Sequence, residues 1–232
     1  MPRVDFRNPF LRDYYPRWLA AHERRLAAIR TELPLYAQEG RKSEKARARR
    51  TRGTPRPLAA VYDIDEVLLC NTHLSSYTNH EEGVDFHAAD YFCDPTTGDP
   101  WGREDTSDPP IPGARELLAE TVRLGVRPYF VTGRLDSIRE VTIADFVRAR
   151  FAGPAGVIPL ADLAAGPDTT LIMVAGSDYP RDGESIQPHK EKMRGAIEKT
   201  HRIILNVGDQ ASDLGRHGDH QHLVPHHFYH IP

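Results

Sequence analysis

From residue 58 onward, short apolar runs alternate with amphipathic stretches. LAAVY (58–62), VRPYFV (126–131), TTLIMVAG (169–176) and RIILNV (202–207) are nearly continuous in hydrophobic character. Between and around them lie IPGARELLAETVRLG (111–125), LDSIREVTIADFVRARF (135–151) and PHKEKMRGAIEKT (188–200), whose apolar positions recur at helical spacing. The chain closes on HLVPHHFYHIP (222–232). Buried strands alternating with amphipathic helices predict an α/β protein, a Rossmann-like parallel sheet with helices on both faces. There is no internal repeat.

Two regions break the alternation. Residues 11–36 read as an amphipathic helix carrying Tyr14, Trp18, Leu19, Leu26, Ile29 and Leu33. Residues 41–57 are basic and end in Gly53, Pro55 and Pro57, which reads as a solvated linker or exposed helix end, or as an arm that attracts phosphates. The absence of aromatic residues in 41–57 argues against stacking on single strands. Residues 71–111 are rich in Asp, Gly, Pro and Thr but contain Tyr77, Phe86, Tyr91, Phe92 and Trp101, the composition of a small ordered lid. The expected organisation is a helical extension and basic linker at 1–57, and a core at 58–232 with a lid insertion at 71–111.

Composition narrows the picture. A chain of 232 residues supports one well-packed core with accessory pieces. At 39% hydrophobic and 27% charged residues it has too much apolar material for intrinsic disorder. Its two cysteines, Cys70 and Cys93, exclude a disulfide framework and a CxxC metal pair, and are expected as free thiols. No apolar run approaches the ~18 residues of a membrane span, and the first residues contain no apolar signal core, so a cytoplasmic location is expected. The net charge of -3 hides an asymmetry: residues 1–57 hold 15 Lys/Arg against 6 Asp/Glu, and the remainder holds 15 against 27. The N-terminal part reads as a basic appendage on an acidic body.

Candidate chemistry sits at strand ends, where open parallel sheets gather ligands. YDID (62–65), VTGR (131–134) and NVGDQASD (206–213) all fall there. Asp209 and Asp213 are four apart, and with Asp63 they bring several carboxylates to one crevice. That charge density is costly unless protons are retained or a divalent cation binds, and an oxygen-only ligand set suits Mg²⁺. The histidines His217, His220, His222, His226, His227 and His230 follow no paired zinc-ligand spacing and are expected as solvated tail residues.

Four features stand in one order: DIDEV (63–67), an apolar strand ending in Thr132, Lys190 at a helix opening, and the GDxxxD of Gly208, Asp209 and Asp213. This order resembles the signature of the haloacid-dehalogenase (HAD) superfamily. DIDEVLLCN, IPGARELL, FVTGR, HKEKMR and NVGDQASDLG further resemble its acid phosphatase branch, which holds the class B and class C acid phosphatases and the plant vegetative storage proteins. The resemblance spans about residues 58–232. His189 and the His-rich tail depart from the branch's aromatic and Asn-Pro positions.

The resemblance implies that Asp63 is the nucleophile forming an aspartyl-phosphate, and that Asp65 protonates the leaving oxygen and then activates water. It also implies Mg²⁺ held by Asp63, the Asp65 carbonyl and Asp209, with Asp213 a direct or outer partner. Lys190, the Thr132 hydroxyl and the Gly133 amide would face the transferring oxygens. Taken alone, Thr132 fits a turn or cap, Lys190 a surface charge at a helix start where it opposes the dipole, and Asp213 a cap. Arg134 and Arg194 fit either phosphate contacts or structural ion pairs. Tyr91, Phe92 and Trp101 fit either stacking on a flat leaving group or packing of the lid.

The implied function is hydrolysis of a small-molecule phosphomonoester, with a nucleoside monophosphate as leading substrate. Two alternatives stand beside it. One is a polynucleotide end phosphatase gripping nucleic acid through residues 41–57, and the other is a non-catalytic binding or storage protein on the same scaffold.

Overall fold

The structure is a computed structural model that describes residues 9–70, 110–178 and 185–225, with side chains from residue 16. The expected lid lies almost wholly outside the described residues. Among these, the elements run α1 (Pro9–Thr51), β1 (Leu58–Tyr62), α2 (Ala114–Arg123), β2 (Arg127–Leu135), α3 (Arg139–Arg148), β3 (Leu171–Val174), α4 (Gln187–Thr200), β4 (Arg202–Gly208) and β5 (His220–Leu223). All strand pairs are parallel, in the order β3-β2-β1-β4-β5. The apolar strands LAAVY and RIILNV lie side by side at the centre, as their burial requires.

Alternate residues of β1 separate two apolar layers. Leu58, Ala60 and Tyr62 join Phe130, Phe146 and the α1 and α2 residues on one face, while Ala59 and Val61 join Tyr129, Val131 and Ile197 of α4 on the other. A register irregularity between Ala59 and Ala60 shifts β4, so that Ile203 serves one face while Ile204, Leu205 and Val207 serve the other. Tyr62 Oη and Thr121 Oγ1, 2.6 Å apart, tie the buried phenol at the strand's end to α2.

The N-terminal helix is longer and more deeply seated than its sequence indicates. It continues through Pro34 to Thr51, so of the readings open for residues 41–51 the helix end is the one present. Trp18, His22, Leu26, Ile29, Leu33, Ala37, Gly40, Glu44 and Ala48 form one buried stripe at spacings of three and four. Five of these, Trp18, Leu26, Ile29, Leu33 and Ala37, belong to the main core with Tyr36, so α1 is a layer of the domain, not an appendage. Gly40 allows the close approach: a Cβ there would lie 2.5 Å from Ile204 Cγ2. Buried Glu44 pairs with Arg47 and Arg56 at 2.8 Å and with Arg202 at 3.7 Å. Burial pushes its carboxyl up, but hydrogen bonds from Arg56 and Arg47 outweigh this and hold it at about 2.

His22 is fully buried beside Trp18, their ring centroids 5.2 Å apart. Burial lowers its pKa from 6.5 to about 4. A folded-state value below the unfolded one means that its contribution is intact above pH 6.5 and is lost as pH falls toward 4, by about 3 kcal/mol. The wild type should therefore lose about 2–3 kcal/mol more than His22→Gln between pH 7 and 4.5 in urea titrations. Parallel pH profiles for the two proteins would contradict this assignment.

Candidate active site

The site is built where β1 and β4 end. Asp63 follows the last residue of β1, and its amide donates to Val207 O of β4 at 3.0 Å. The chain then turns sharply: Glu66 adopts a left-handed φ of 56° and its amide donates to Leu69 O at 2.8 Å. Such a conformation is costly for a residue with a Cβ and persists where the surroundings enforce it. On the neighbouring strand Gly208 lets Asp213 fold back over the strand end, since a Cβ at 208 would lie 2.0 Å from that of Asp213.

Asp209 precedes, and Asp213 ends, a short 3-10 turn, Ala211–Asp213. Gln210 and Asp213 form a reciprocal capping box, in which the Gln210 amide donates to Asp213 Oδ2 at 3.0 Å. Thus Asp213 both caps the turn and faces the site. Asn206 steadies the same turn, donating through Nδ2 to Asp213 O at 2.9 Å and Leu214 O at 2.6 Å. Arg194 Nη1 donates to Ser212 O at 3.3 Å, which is the structural use.

One carboxylate oxygen each from Asp63, Asp209 and Asp213 lies within 4.8 Å of the others, and all three residues are buried. From α4, Lys190 brings one ammonium, 3.3 Å from Asp63 Oδ1 and hydrogen-bonded to Asp213 Oδ1. Burial favours the neutral amine, but Asp213 and Asp63 overturn that and raise the Lys190 pKa. Burial, then the charge of Asp213, push both Asp63 and Asp209 well above the usual carboxylate range. Burial opposes ionisation of Asp213 as well, yet Lys190 prevails and lowers its pKa. All three ionised against one ammonium would leave excess negative charge, which a divalent ion would offset, and their all-oxygen chemistry fits a hard one.

Asp65 faces a different partner. Arg134 Nε lies 3.0 and 3.1 Å from its two oxygens, and Nη2 lies 2.6 Å from Oδ1. Of the two roles open to Arg134, the structural ion pair is present: the buried guanidinium is directed to Asp65, Thr142 and Asp145. Buried Thr132, within β2, uses its hydroxyl to accept the Arg134 amide at 3.1 Å, and Gly133 lies between them. Tyr91 and Trp101 lie outside the described residues.

The described tail histidines are not solvated as expected. His217 lies between Glu198 and Glu191 at 2.9 and 3.3 Å, His220 stacks on Tyr36, and buried His222 meets Arg25 at 3.0 Å. Sequence reading also passed over Asn206, Gln210 and Asp145. A lone Asn inside an apolar strand was a usable signal for the first, but the others depend on folding of the turn and on a through-space partner.

A parallel α/β sheet with buried aspartates at its strand ends, faced by a lysine from α4, is the arrangement of a HAD-like fold. Residues 26–232 match the sequence model described as "HAD superfamily, subfamily IIIB (Acid phosphatase)", and the chain belongs to this family. It is 29% identical over 155 residues to "Acid phosphatase 1" of Solanum lycopersicum, a match covering 66% of this chain and 51% of that protein. The matched part is thus about half the length of that relative. The fold is similar to that of the class C acid phosphatase from Bacillus anthracis solved with tungstate bound. That similarity has a TM-score of 0.55 and 18% identity, covering 89% of this chain and 69% of the other.

Proposed function

We propose that the protein is a Mg²⁺-dependent phosphomonoesterase acting through an aspartyl-phosphate on Asp63. The observation that carries this reading is the buried Asp63–Lys190 pair inside the three-aspartate cluster. Asp63 attacks phosphorus as the ester P–O bond breaks, and Asp65 gives its proton to the leaving oxygen. Water then attacks the phosphorus and passes a proton to Asp65, releasing inorganic phosphate and freeing Asp63. Lys190 supplies positive charge beside the nucleophile throughout. Asp63 and Asp209 would hold the ion, with Asp213 completing the set, and when bound it would screen the nucleophile from the anionic ester.

Family membership and the relatives named for acid phosphatase activity support the reaction class. Tungstate, a phosphate-like oxyanion present with the Bacillus protein, supplies a suitable competitor. The proposed substrates are small phosphorylated metabolites, nucleoside monophosphates first among them. The basic end of α1 does not favour a polynucleotide substrate. It reaches the sheet before Leu58, whereas Asp63 lies beyond the other end of β1, about 17 Å away along a five-residue strand.

A panel of phosphomonoesters should show turnover with Mg²⁺, loss in EDTA, recovery on re-addition of Mg²⁺, and competition by tungstate. EDTA-insensitive turnover would remove the metal from the reading, and silence across the panel would remove the phosphatase.

A further inference from the structure

Arg134 is fully buried, with a side-chain exposure of 0%. A guanidinium in that position requires partners along more than one edge. The Nε and Nη2 edge serves Asp65, while Nη1 lies 3.2 Å from Thr142 Oγ1 and 3.5 Å from Asp145 Oδ2. Asp145 is itself buried, and its other oxygen meets Arg148 Nη1 at 3.0 Å. Thr142 and Asp145 are three apart on α3 and share a face. The next residue, Phe146, packs edge-on against Phe130 of β2 and against Phe151, which fixes the rotation of the helix. A chain of charge-assisted contacts therefore runs from a core-anchored helix through Arg134 to Asp65.

We propose that Asp145 is a positioning residue for hydrolysis: it holds Arg134 so that the opposite edge of the guanidinium fixes the Asp65 carboxyl beside the leaving-group oxygen. The proposal rests on the phosphatase reading and extends it to a residue that touches neither substrate nor metal cluster. Without Asp145 the guanidinium keeps Asp65 and Thr142 but loses the charged partner on its far edge. A displacement of about 1 Å in a reacting group is enough to cost ~10²-fold in rate.

The test compares an alkyl phosphate, whose alkoxide must be protonated as it leaves, with a nitrophenyl phosphate, whose phenolate leaves unprotonated. The ratio of kcat/KM values reports the step in which the ester bond breaks. In the full-length protein, Asp145→Asn should lower kcat/KM for the alkyl ester about 30- to 100-fold and for the nitrophenyl ester under about 5-fold. Asp65→Asn should show the same asymmetry more strongly, and the double variant should add little to Asp65→Asn. If Asp145→Asn does not fold, Thr142→Val, which keeps shape and removes the hydroxyl, should show a smaller asymmetry of the same sense. Equal losses on both esters, or none, would overturn the positioning role provided Asp65→Asn remains asymmetric. A wild type inactive on both esters, or a symmetric Asp65→Asn, would instead overturn the reading beneath it.

Discussion

Asp63→Asn is expected to lower phosphomonoester turnover by at least about 10⁴-fold while leaving the metal-free protein no less stable than wild type. Asparagine keeps the shape and removes the proposed nucleophile. Stability should survive because Asp63 is buried beside Asp209 and Asp213, and its ionised form is disfavoured by burial first and by Asp213 next. Removing that charge relieves repulsion, and Lys190 retains its hydrogen bond to Asp213. Kinetics with Mg²⁺ and thermal melting in EDTA check the two halves separately. Residual turnover within about tenfold of wild type would mean that another group attacks. A marked fall in melting temperature would mean that attraction to Lys190 outweighs the repulsion among the acids.

Lys190→Met is expected to do the opposite to stability and to damage the rate as well. It takes away the ammonium facing Asp63 and Asp213, leaving buried carboxylates uncompensated, a loss on the order of 3–5 kcal/mol. Loss of a charged donor at the reacting centre should cost ~10²- to 10³-fold in kcat. Urea unfolding in EDTA and in Mg²⁺ separates the roles, since a bound cation would restore part of the missing positive charge. The destabilisation should be larger in EDTA. Equal unfolding midpoints for variant and wild type in EDTA would show that Lys190 does not compensate the cluster.

The sheet and the acidic cluster could be read in the sequence because both rest on local pattern. Apolar runs as short as LAAVY and RIILNV read as buried strands by their length and their alternation with amphipathic helices, and the carboxylates that follow them fall at the sheet's C-terminal edge by topology. What escaped notice depends on partners far along the chain. Residues 41–51 look like a linker because the charge of Glu44 is visible and its arginine on β4, Arg202, is not. His22 reads as one more polar residue on a helix, though it is sealed within the core. Arg134 sits in a motif that suggests phosphate, and only the fold reveals that α3 presents Thr142 and Asp145 to it. The 3-10 geometry of the Asp213 turn likewise follows from the reciprocal cap with Gln210, which spacing alone does not specify.

The clasp between the two ends of the described chain bears on how the protein is made. Trp18 Nε1 donates to Pro225 O at 2.8 Å, and Arg25 Nε donates to Leu223 O at 3.2 Å. The central strand β1 must likewise wait for β4 before one of its edges is paired. During synthesis the start of the first helix and one edge of β1 therefore stay uncovered until β4 and residues 223–225 have left the ribosome. Contacts of such long sequence separation slow folding and prolong exposure to aggregation. Nascent chains should thus depend on chaperone shelter, and stay protease-sensitive, until β4 and residues 223–225 are free to pair.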